Sequence, residues 1–167
     1  ILDNIAVQTD SVIVARDPEA TNRIFLLDGG AVIQGLSILD GLLWATNLPY
    51  AQSLFGAGVH MSNAVLRDCV IANCVLSLTH SNLNSGGGGI YMNHTDARVE
   101  NCVISNNAYL LTTVGTTGNG SHRDGGGGIF LDRGTVSNCL IEGNIYDHFP
   151  RTMSGHGGGA GIIVFGN

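Results

Sequence analysis

One unit of sequence recurs along the chain, and it limits the fold more than any other feature. Its clearest copies are GGGGIYMNHTDARVENCVISNN, which begins at Gly86, and GGGGIFLDRGTVSNCLIEGN, which begins at Gly125. Looser copies begin at Arg23 and Gly56, and GGGAGIIVFGN, from Gly157, opens a further one. A repeated unit of this length is typical of a solenoid, in which each unit buries its neighbour.

The period of the repeat is set by four residues in equivalent places, namely Leu36, Cys69, Cys102 and Cys139. They stand 33, 33 and 37 residues apart. Connector length varies between copies while the strand-like segments keep their spacing. We therefore expect polar loops outside the stack at residues 78–85, 110–124 and 147–156. The segment Leu42–Phe55 is expected to be an apolar connector that covers one flank of the core.

The composition favours strands, and it argues against a nucleic-acid partner and against a membrane-spanning helix. Hydrophobic residues make up 44% of the 167 residues, and they are mostly Val, Ile and Leu in short runs, as in β proteins. All seven basic residues are Arg, and the net charge is −6. A nucleic-acid partner would require a positive surface, which this charge balance does not provide. No apolar run reaches the length of a membrane-spanning helix, so no transmembrane segment is predicted.

Apolar and polar residues alternate within each copy, which predicts strands with one buried face. The residues predicted to face inward are Ile24, Leu26, Ile33, Leu36, Ile38, Val59, Met61, Leu66, Cys69, Ile71, Ile90, Met92, Val99, Cys102, Ile104, Ile129, Leu131, Val136, Cys139, Ile141, Ile162 and Val164. Stacked copies would place like residues above one another at a strand spacing of roughly 4.8 Å. Asn107 and Asn144 share such a column with Cys74, and stacked amides can hydrogen-bond along it.

In these features the chain resembles the right-handed parallel β-helix proteins of the pectate-lyase-like superfamily. The Gly runs and the NCxISxN pattern at Asn101–Asn107 are most similar to repeats of polymorphic outer-membrane and autotransporter passenger domains. The resemblance covers Arg23–Asn167. It implies an all-β, right-handed parallel β-helix of about four to five coils, with residues 1–167 as one domain, in an extracellular or cell-surface protein. The fold hosts lyases, hydrolases, adhesins and fibres, so it does not select one function.

Both ends of the sequence look cut from something longer. The chain begins at Ile1 without Met or a signal segment, and its last copy stops after one strand. No cap is evident at either end, and an uncapped strand edge invites pairing. The chain is therefore expected to be a fragment of a longer solenoid, or a unit that stacks end to end with other copies of itself. Head-to-tail contact of that kind builds filaments.

The four cysteines admit three interpretations. Cys69, Cys102 and Cys139 fall in one inward column, where metal binding, disulfide bonding or simple core packing are the alternatives. Close Cys pairs typical of zinc sites are absent, and side chains stacked in register point the same way, which disfavours a disulfide. We favour a column of small apolar core residues. Cys74 lies outside this column and is either a partly exposed thiol or a partner for Cys69.

A row of outward residues on the first strand of each copy is the candidate ligand-binding face. It consists of Phe25, His60, Tyr91, Phe130 and Ile163. Aromatic rings in a line can bind sugars, or they can pack beneath a connector or another chain, and both alternatives stay open. The resemblance makes the first alternative relevant, because the sugar groove of β-helix polysaccharide lyases runs along this strand face.

An enzymatic alternative, a polysaccharide lyase or glycoside hydrolase, also comes with the resemblance. Such lyases hold calcium with oxygen ligands and use a basic residue to take a proton from the sugar acid. The nearest residues to that pattern are Asp28, Ser62, Asn93 and Asp132, with Arg98, Arg123 and Arg133 as basic residues. A glycosidase needs two carboxylates, for which Asp96, Asp124 and Asp132 are the catalytic candidates. Calcium is expected only in the lyase case, and otherwise no cofactor is predicted.

Two further side-chain groups could meet between copies. His122, Asp124, His148 and His156 precede successive Gly runs and are candidate ligands of a transition metal, although solvated loop residues are the commoner case. Arg67 and Glu100 occupy equivalent outward positions and are expected to form a surface ion pair. Taken together, the sequence favours a structural or adhesive rod, glycan-binding or fibre-forming, over an enzyme.

Overall fold

The structure, a computed structural model, describes residues 12–45, 54–79, 85–112, 124–148 and 158–165. These residues form strands and no helix, so the described part also holds no helix able to cross a membrane. The strands in chain order are β1 (Val12–Ala15), β2 (Phe25–Leu27), β3 (Ala31–Gln34), β4 (Leu36–Leu39), β5 (Leu42–Ala45), β6 (Val59–Met61), β7 (Ala64–Arg67), β8 (Val70–Ala72), β9 (Val75–Leu78), β10 (Ser85–Gly86), β11 (Ile90–Glu100), β12 (Val103–Ser105), β13 (Ala108–Leu111), β14 (Asp124–Gly125), β15 (Ile129–Ser137), β16 (Leu140–Glu142), β17 (Ile145–His148) and β18 (Ile162–Val164).

Three parallel sheets run along the stack. Sheet A has the order β1-β4-β8-β12-β16, and sheet C has the order β17-β13-β9-β5. Sheet B has the order β18-β15-β11-β6-β2, with β3 and β7 continuing it beside β11. Each copy of the repeat crosses B, A and C in turn and forms one rung. The rungs are β2–β5, β6–β9, β11–β13 and β15–β17. From the first rung to the fourth, the chain makes about three turns of a parallel β-solenoid, slightly fewer than the predicted number of coils.

The third strand of each rung was missed by the sequence prediction. Leu42–Ala45, expected in a connector, is β5, and the predicted loops at 78–85, 110–124 and 147–156 begin inside or just after β9, β13 and β17. Segments such as LLWA and VLSL lack a clean alternation, because sheet C carries apolar residues on both faces. A turn follows Arg16, in which the Ala20 N–H donates to the Asp17 carbonyl at 2.9 Å.

The predicted inward residues of the second and third rungs are confirmed. Val59, Met61, Leu66, Ile71 and their equivalents in β11 and β12 are almost fully buried. Equivalent residues of the fourth rung, such as Leu131 and Ile141, pack against this core but are only partly buried.

In β2 the predicted phase was wrong by one residue, whereas Ile33, Leu36 and Ile38 of the same rung are buried as predicted. Leu26 is 69% exposed, whereas Leu27 is buried and Phe25 packs against the core. The run Phe25–Leu27 is apolar in both phases, so alternation could not choose between them.

Asx residues turn the chain at the corners between sheets. Asp68, Asn101 and Asn138 have φ between 51° and 55° at the corner from sheet B to sheet A. The left-handed region is one that Asn and Asp enter more readily than other non-Gly residues. These side chains are also linked from rung to rung: the Asn138 amide donates to Asn101 Oδ1 at 2.7 Å, and the Asn101 amide donates to Asp68 Oδ1 at 3.2 Å. These hydrogen bonds between corner side chains therefore fix the register of each rung on the next.

Glycine is required where rungs approach most closely before sheet B. A Cβ atom on Gly89 would lie 2.7 Å from the Gly128 carbonyl oxygen and 3.0 Å from the Asn107 amide carbon. Backbone atoms cannot move aside at this distance, which explains why the equivalent residues Gly58, Gly89 and Gly128 are all glycine.

Candidate functional site

The outer face of sheet B carries an aromatic row, which we define as Phe55, His60, Tyr91, Phe130 and Phe165. Phe55 stacks on Tyr91 with ring centroids 4.1 Å apart and an interplanar angle of 18°. Tyr91 and Phe130 are 5.4 Å apart, and Phe130 stacks on Phe165 at 5.0 Å. Spacings of this size are those of attractive ring pairs, so the row ties successive rungs together.

Arg23 and His60 close one end of the aromatic row. Arg23 Nη1 donates a hydrogen bond to His60 Nδ1 at 2.7 Å, and the His60 ring meets Tyr91 edge-on at 4.8 Å. Burial, and then the positive charge of Arg23, lowers the pKa of His60 to about 4. His60 is therefore neutral at neutral pH. Its Nδ1 accepts the hydrogen bond from the Arg23 guanidinium, which can only donate.

This geometry corrects the predicted binding face in two respects. Leu26, not Phe25, is the register partner of His60, so Phe25 leaves the outward row. Tyr91 and Phe130 are 8% and 2% exposed, because Phe55 and Phe165 contact their rings. Their faces are covered by neighbouring aromatic side chains and are not open to a sugar ring. A ligand-binding role for Phe25, His60, Tyr91 and Phe130 stays a prediction.

A second ladder lies inside the solenoid at the corner from sheet A to sheet C. Asn107 is fully buried, and its Oδ1 accepts from the Cys74 N–H at 2.9 Å. Its Nδ2 donates to the Ile71 carbonyl at 2.9 Å and to Asn144 Oδ1 at 3.0 Å. Asn144 repeats the pattern one rung on, donating to the Ile104 carbonyl at 2.8 Å. The predicted column of Cys74, Asn107 and Asn144 is therefore confirmed.

The cysteine column is a packing feature. All four cysteines are free, and Cys69 and Cys102 are each 1% exposed within the core. The Cys69, Cys102 and Cys139 thiols donate to the carbonyls of Arg67, Glu100 and Ser137 at 3.1 to 3.2 Å. Burial raises the pKa of Cys74 to about 12, and the neighbouring Cys69 thiol together with burial raises the pKa of Cys102. Cys74 and Cys102 thus stay protonated, and Cys74 is buried rather than partly exposed.

The structure describes the three catalytic candidates to different extents. Asp96 lies in an excursion of β11, where its side chain is 67% exposed and stands 3.7 Å from His94 Nδ1. Asp132 lies in β15 at a point where the register slips, because Asn93 pairs with Arg133. Of Asp124 the structure describes the backbone alone, which pairs with Ser85. A catalytic role for these three stays a prediction.

The calcium and transition-metal candidates are described only in part. Ser62 Oγ donates to Asn93 Oδ1 at 2.8 Å, as expected for neighbours on the outward face. No group of three or more His, Cys, Asp or Glu side chains that could hold a metal occurs in the described ranges. His122 and His156 lie outside those ranges, and the side chains of Asp124 and His148 are not described. The expected pair of Arg67 and Glu100 is confirmed at 3.0 Å.

A shallow cavity of about 290 Å³ opens at the corner between sheets A and C of the first rung. It is lined by residues that include Arg16, Asp40, Leu42 and Asn73. The Arg16 guanidinium donates to the Asp40 carbonyl at 2.8 Å and to the Asp17 carbonyl at 2.7 Å. Arg16 therefore holds the turn that follows β1 in place.

Comparison with known protein families, with curated proteins and with solved structures found no match for this chain. The parallel β-solenoid is thus the part of the resemblance that the structure supports. The sequence analysis missed Phe55 and Phe165, which complete the aromatic row, and the Asx corners. The corners carry a signal that could have found them: Asp68, Asn101 and Asn138 each stand directly before a cysteine of the repeat.

Proposed function

We propose that this chain is a structural segment of a secreted or cell-surface protein, in which a stiff solenoid holds its connectors along an axis for adhesion to other molecules. The observation that carries this proposal is the use of side chains as axial ties. Three different ladders link successive rungs: the aromatic row, the corner of Asp68, Asn101 and Asn138, and the buried pair of Asn107 and Asn144.

These ladders bear on function because they commit the polar and aromatic groups of the described rungs to one another. Asn107 uses its oxygen and its amide hydrogens within the chain, and the rings of Tyr91 and Phe130 are covered. A fully satisfied buried polar network rigidifies a fold. The arrangement therefore favours resistance to deformation over a mobile catalytic cleft.

Glycans are the partner class that we propose for the sides of the rod. Trp44 is 57% exposed on the outer face of sheet C, and an exposed indole ring can stack on a sugar. His60, at the edge of the aromatic row, is the alternative contact on sheet B.

The test combines binding and cleavage on a panel of acidic and neutral polysaccharides, with and without calcium. The proposal expects co-sedimentation with a polysaccharide and no release of unsaturated or reducing ends. Trp44→Ala and His60→Ala, compared with the matched variant Leu26→Ala, would show which face binds. Release of products would contradict the proposal in favour of a polysaccharide lyase or glycoside hydrolase, and loss of that release in Asp132→Ala would then place the reaction. Absence of binding across the panel would remove the glycan part.

A further inference from the structure

Two aspartate–glycine pairs stand in the first rung, and their surroundings differ. Asp28–Gly29 lies in the turn between β2 and β3, whereas Asp40–Gly41 lies at the corner between β4 and β5. The dipeptide is the same in both places, so a difference in reactivity between them comes from the structure. Glycine matters in such a pair because it has no Cβ atom to keep its backbone nitrogen away from the aspartate side chain.

The first pair is held in an open turn. The Ala31 N–H donates to the Asp28 carbonyl at 3.2 Å, and Gly29 and Gly30 have φ of 66° and 80°. Positive φ at both central residues is typical of a type I′ turn. Asp28, Gly29 and Gly30 are exposed, and a Cβ atom on either glycine would meet nothing within 4 Å among the described residues beyond its chain neighbours. The described structure therefore leaves this turn open to water.

The atoms that could react in this pair are already close together. The Gly29 N–H donates to Asp28 Oδ1 at 2.7 Å, so the nitrogen faces the carboxyl group of the preceding residue. A carbon–oxygen double bond is about 1.2 Å long, which places this nitrogen within about 4 Å of Asp28 Cγ. Atoms that are poised to react are about 3 to 3.5 Å apart. A small rotation of the Asp28 side chain is enough to reach that distance.

We propose that Asp28 is a site of spontaneous covalent modification, at which the folded chain converts aspartate into isoaspartate. The Gly29 nitrogen forms a bond to Asp28 Cγ, and the hydroxyl of the protonated carboxyl group leaves with the proton of the nitrogen as water. The product is a succinimide ring. A second water molecule then opens the ring at one of its two carbonyl groups. One opening restores aspartate, and the other leaves isoaspartate, in which the main chain runs through Cγ and the α-carboxyl group is free.

The second pair is protected by its surroundings. The Asp40 N–H donates to the Ala72 carbonyl at 3.2 Å, and the Gly41 carbonyl accepts from the Val75 N–H at 2.7 Å. Gly41 is buried, and a Cβ atom on it would overlap the Ala57 carbonyl. The peptide between Asp40 and Gly41 therefore cannot rotate into a ring without breaking hydrogen bonds to the second rung.

Isoaspartate in the turn changes the path of the main chain, because it adds one carbon atom before β3. The first residue of β3, Ala31, pairs with Ala64, and the Gly30 N–H donates to the Asn63 carbonyl at 2.6 Å. A longer turn draws these partners apart. The modification is therefore expected to loosen the first rung at this turn and to leave the second rung in place.

The test incubates the whole chain for several weeks at neutral pH, folded in buffer and unfolded in urea. Isoaspartate is located by mass spectrometry after digestion with an endoproteinase that cuts before aspartate but not before isoaspartate. In the folded chain we expect isoaspartate to form about tenfold or more faster at position 28 than at position 40, since misplacing reacting atoms by about 1 Å can slow a reaction about 100-fold. In urea the two positions are expected to react at similar rates, because the dipeptide is the same.

Asp28→Glu and Asp40→Glu are the matched variants, and circular dichroism checks that both are folded. Asp28→Glu is expected to abolish the modification in the turn, because the longer side chain would have to close a larger ring, whereas Asp40→Glu should age like the unaltered chain. Hydrogen exchange of the Gly30 amide is expected to become faster as the unaltered chain ages and to stay constant in Asp28→Glu. Equal rates at positions 28 and 40 in the folded chain would overturn the proposal, as would isoaspartate that forms at position 28 only in urea.

Discussion

Replacing the buried amide of Asn107 tests the idea that side-chain ladders hold the rungs together. Asn107→Ala takes an acceptor from the Cys74 N–H and a donor from the Ile71 carbonyl, and it breaks the side-chain link to Asn144. Asn107 is fully buried, so water is not at hand to replace these partners. The change therefore removes an entire step of the ladder.

The magnitude follows from the two buried groups that lose a partner. Each such group costs about 1 to 3 kcal/mol, so we expect the free energy of unfolding to fall by about 2 to 6 kcal/mol. That is a large fraction of the about 5 to 15 kcal/mol typical of a folded domain. Asn107→Cys is expected to cost less than Asn107→Ala, because Cys74 fills the same place in the preceding rung.

The assay is urea unfolding followed by circular dichroism, with Asn106→Gly as the matched control. Asn106 has a φ of 55°, and its equivalent in the fourth rung is Gly143 with a φ of 62°, so glycine fits the corner. The control is expected to leave stability within about 0.5 kcal/mol of the unaltered chain. A loss below about 1 kcal/mol in Asn107→Ala would falsify the role given to the ladder.

Three further perturbations have defined outcomes. The pKa of His60 is lowered from 6.5 to about 4 in the folded chain. Between these two pH values the imidazole is protonated in the unfolded chain and neutral in the folded chain, so stability falls as the pH falls. Urea unfolding is thus expected to show about 1 to 2 kcal/mol less stability at pH 4 than at pH 7, allowing for solvent screening, and His60→Gln should reduce that difference; an unchanged pH profile would contradict it. Phe55→Ala uncovers Tyr91 and should lower the free energy of unfolding by about 2 to 3 kcal/mol. The expected readouts are a lower thermal midpoint and greater quenching of tyrosine fluorescence by solvent quenchers. An unaltered midpoint would mean that Phe55 is not part of the aromatic row. Gly89→Ala places a Cβ atom 2.7 Å from a backbone oxygen and should prevent cooperative folding. The control Gly161→Ala, whose Cβ atom meets no atom closer than 3.4 Å, should fold normally. Equal thermal unfolding of the two variants would contradict the requirement for glycine at the close approach of the rungs.

The sequence predicted the stack well because repetition supplied several independent copies of the same evidence. The inward columns of rungs two and three, the Asn107 and Asn144 column and the Arg67–Glu100 pair all follow from a fixed spacing. Where a single copy had to be read alone, prediction failed: the apolar run Phe25–Leu27 fits either phase.

The environment of the aromatic row could not be read from the repeat. Periodicity places Tyr91 and Phe130 on the outer face of sheet B, and that placement is right. Their burial depends on Phe55 and Phe165, which lie outside the strands that they cover. The alternation of residues along those strands therefore gives no sign of the two covering rings. Contacts between a connector and a sheet are set by tertiary packing, about which local pattern says little.

The most direct test of the in-register parallel stack is a set of methyl contacts measured by nuclear magnetic resonance. Ile71, Ile104 and Ile141 occupy one inward column in successive rungs of sheet A. The account predicts nuclear Overhauser effects from Ile104 to both Ile71 and Ile141, and none between Ile71 and Ile141, which lie two rungs or roughly 10 Å apart. Direct contact between Ile71 and Ile141, or contact of Ile104 with neither, would contradict the solenoid on which every inference above depends.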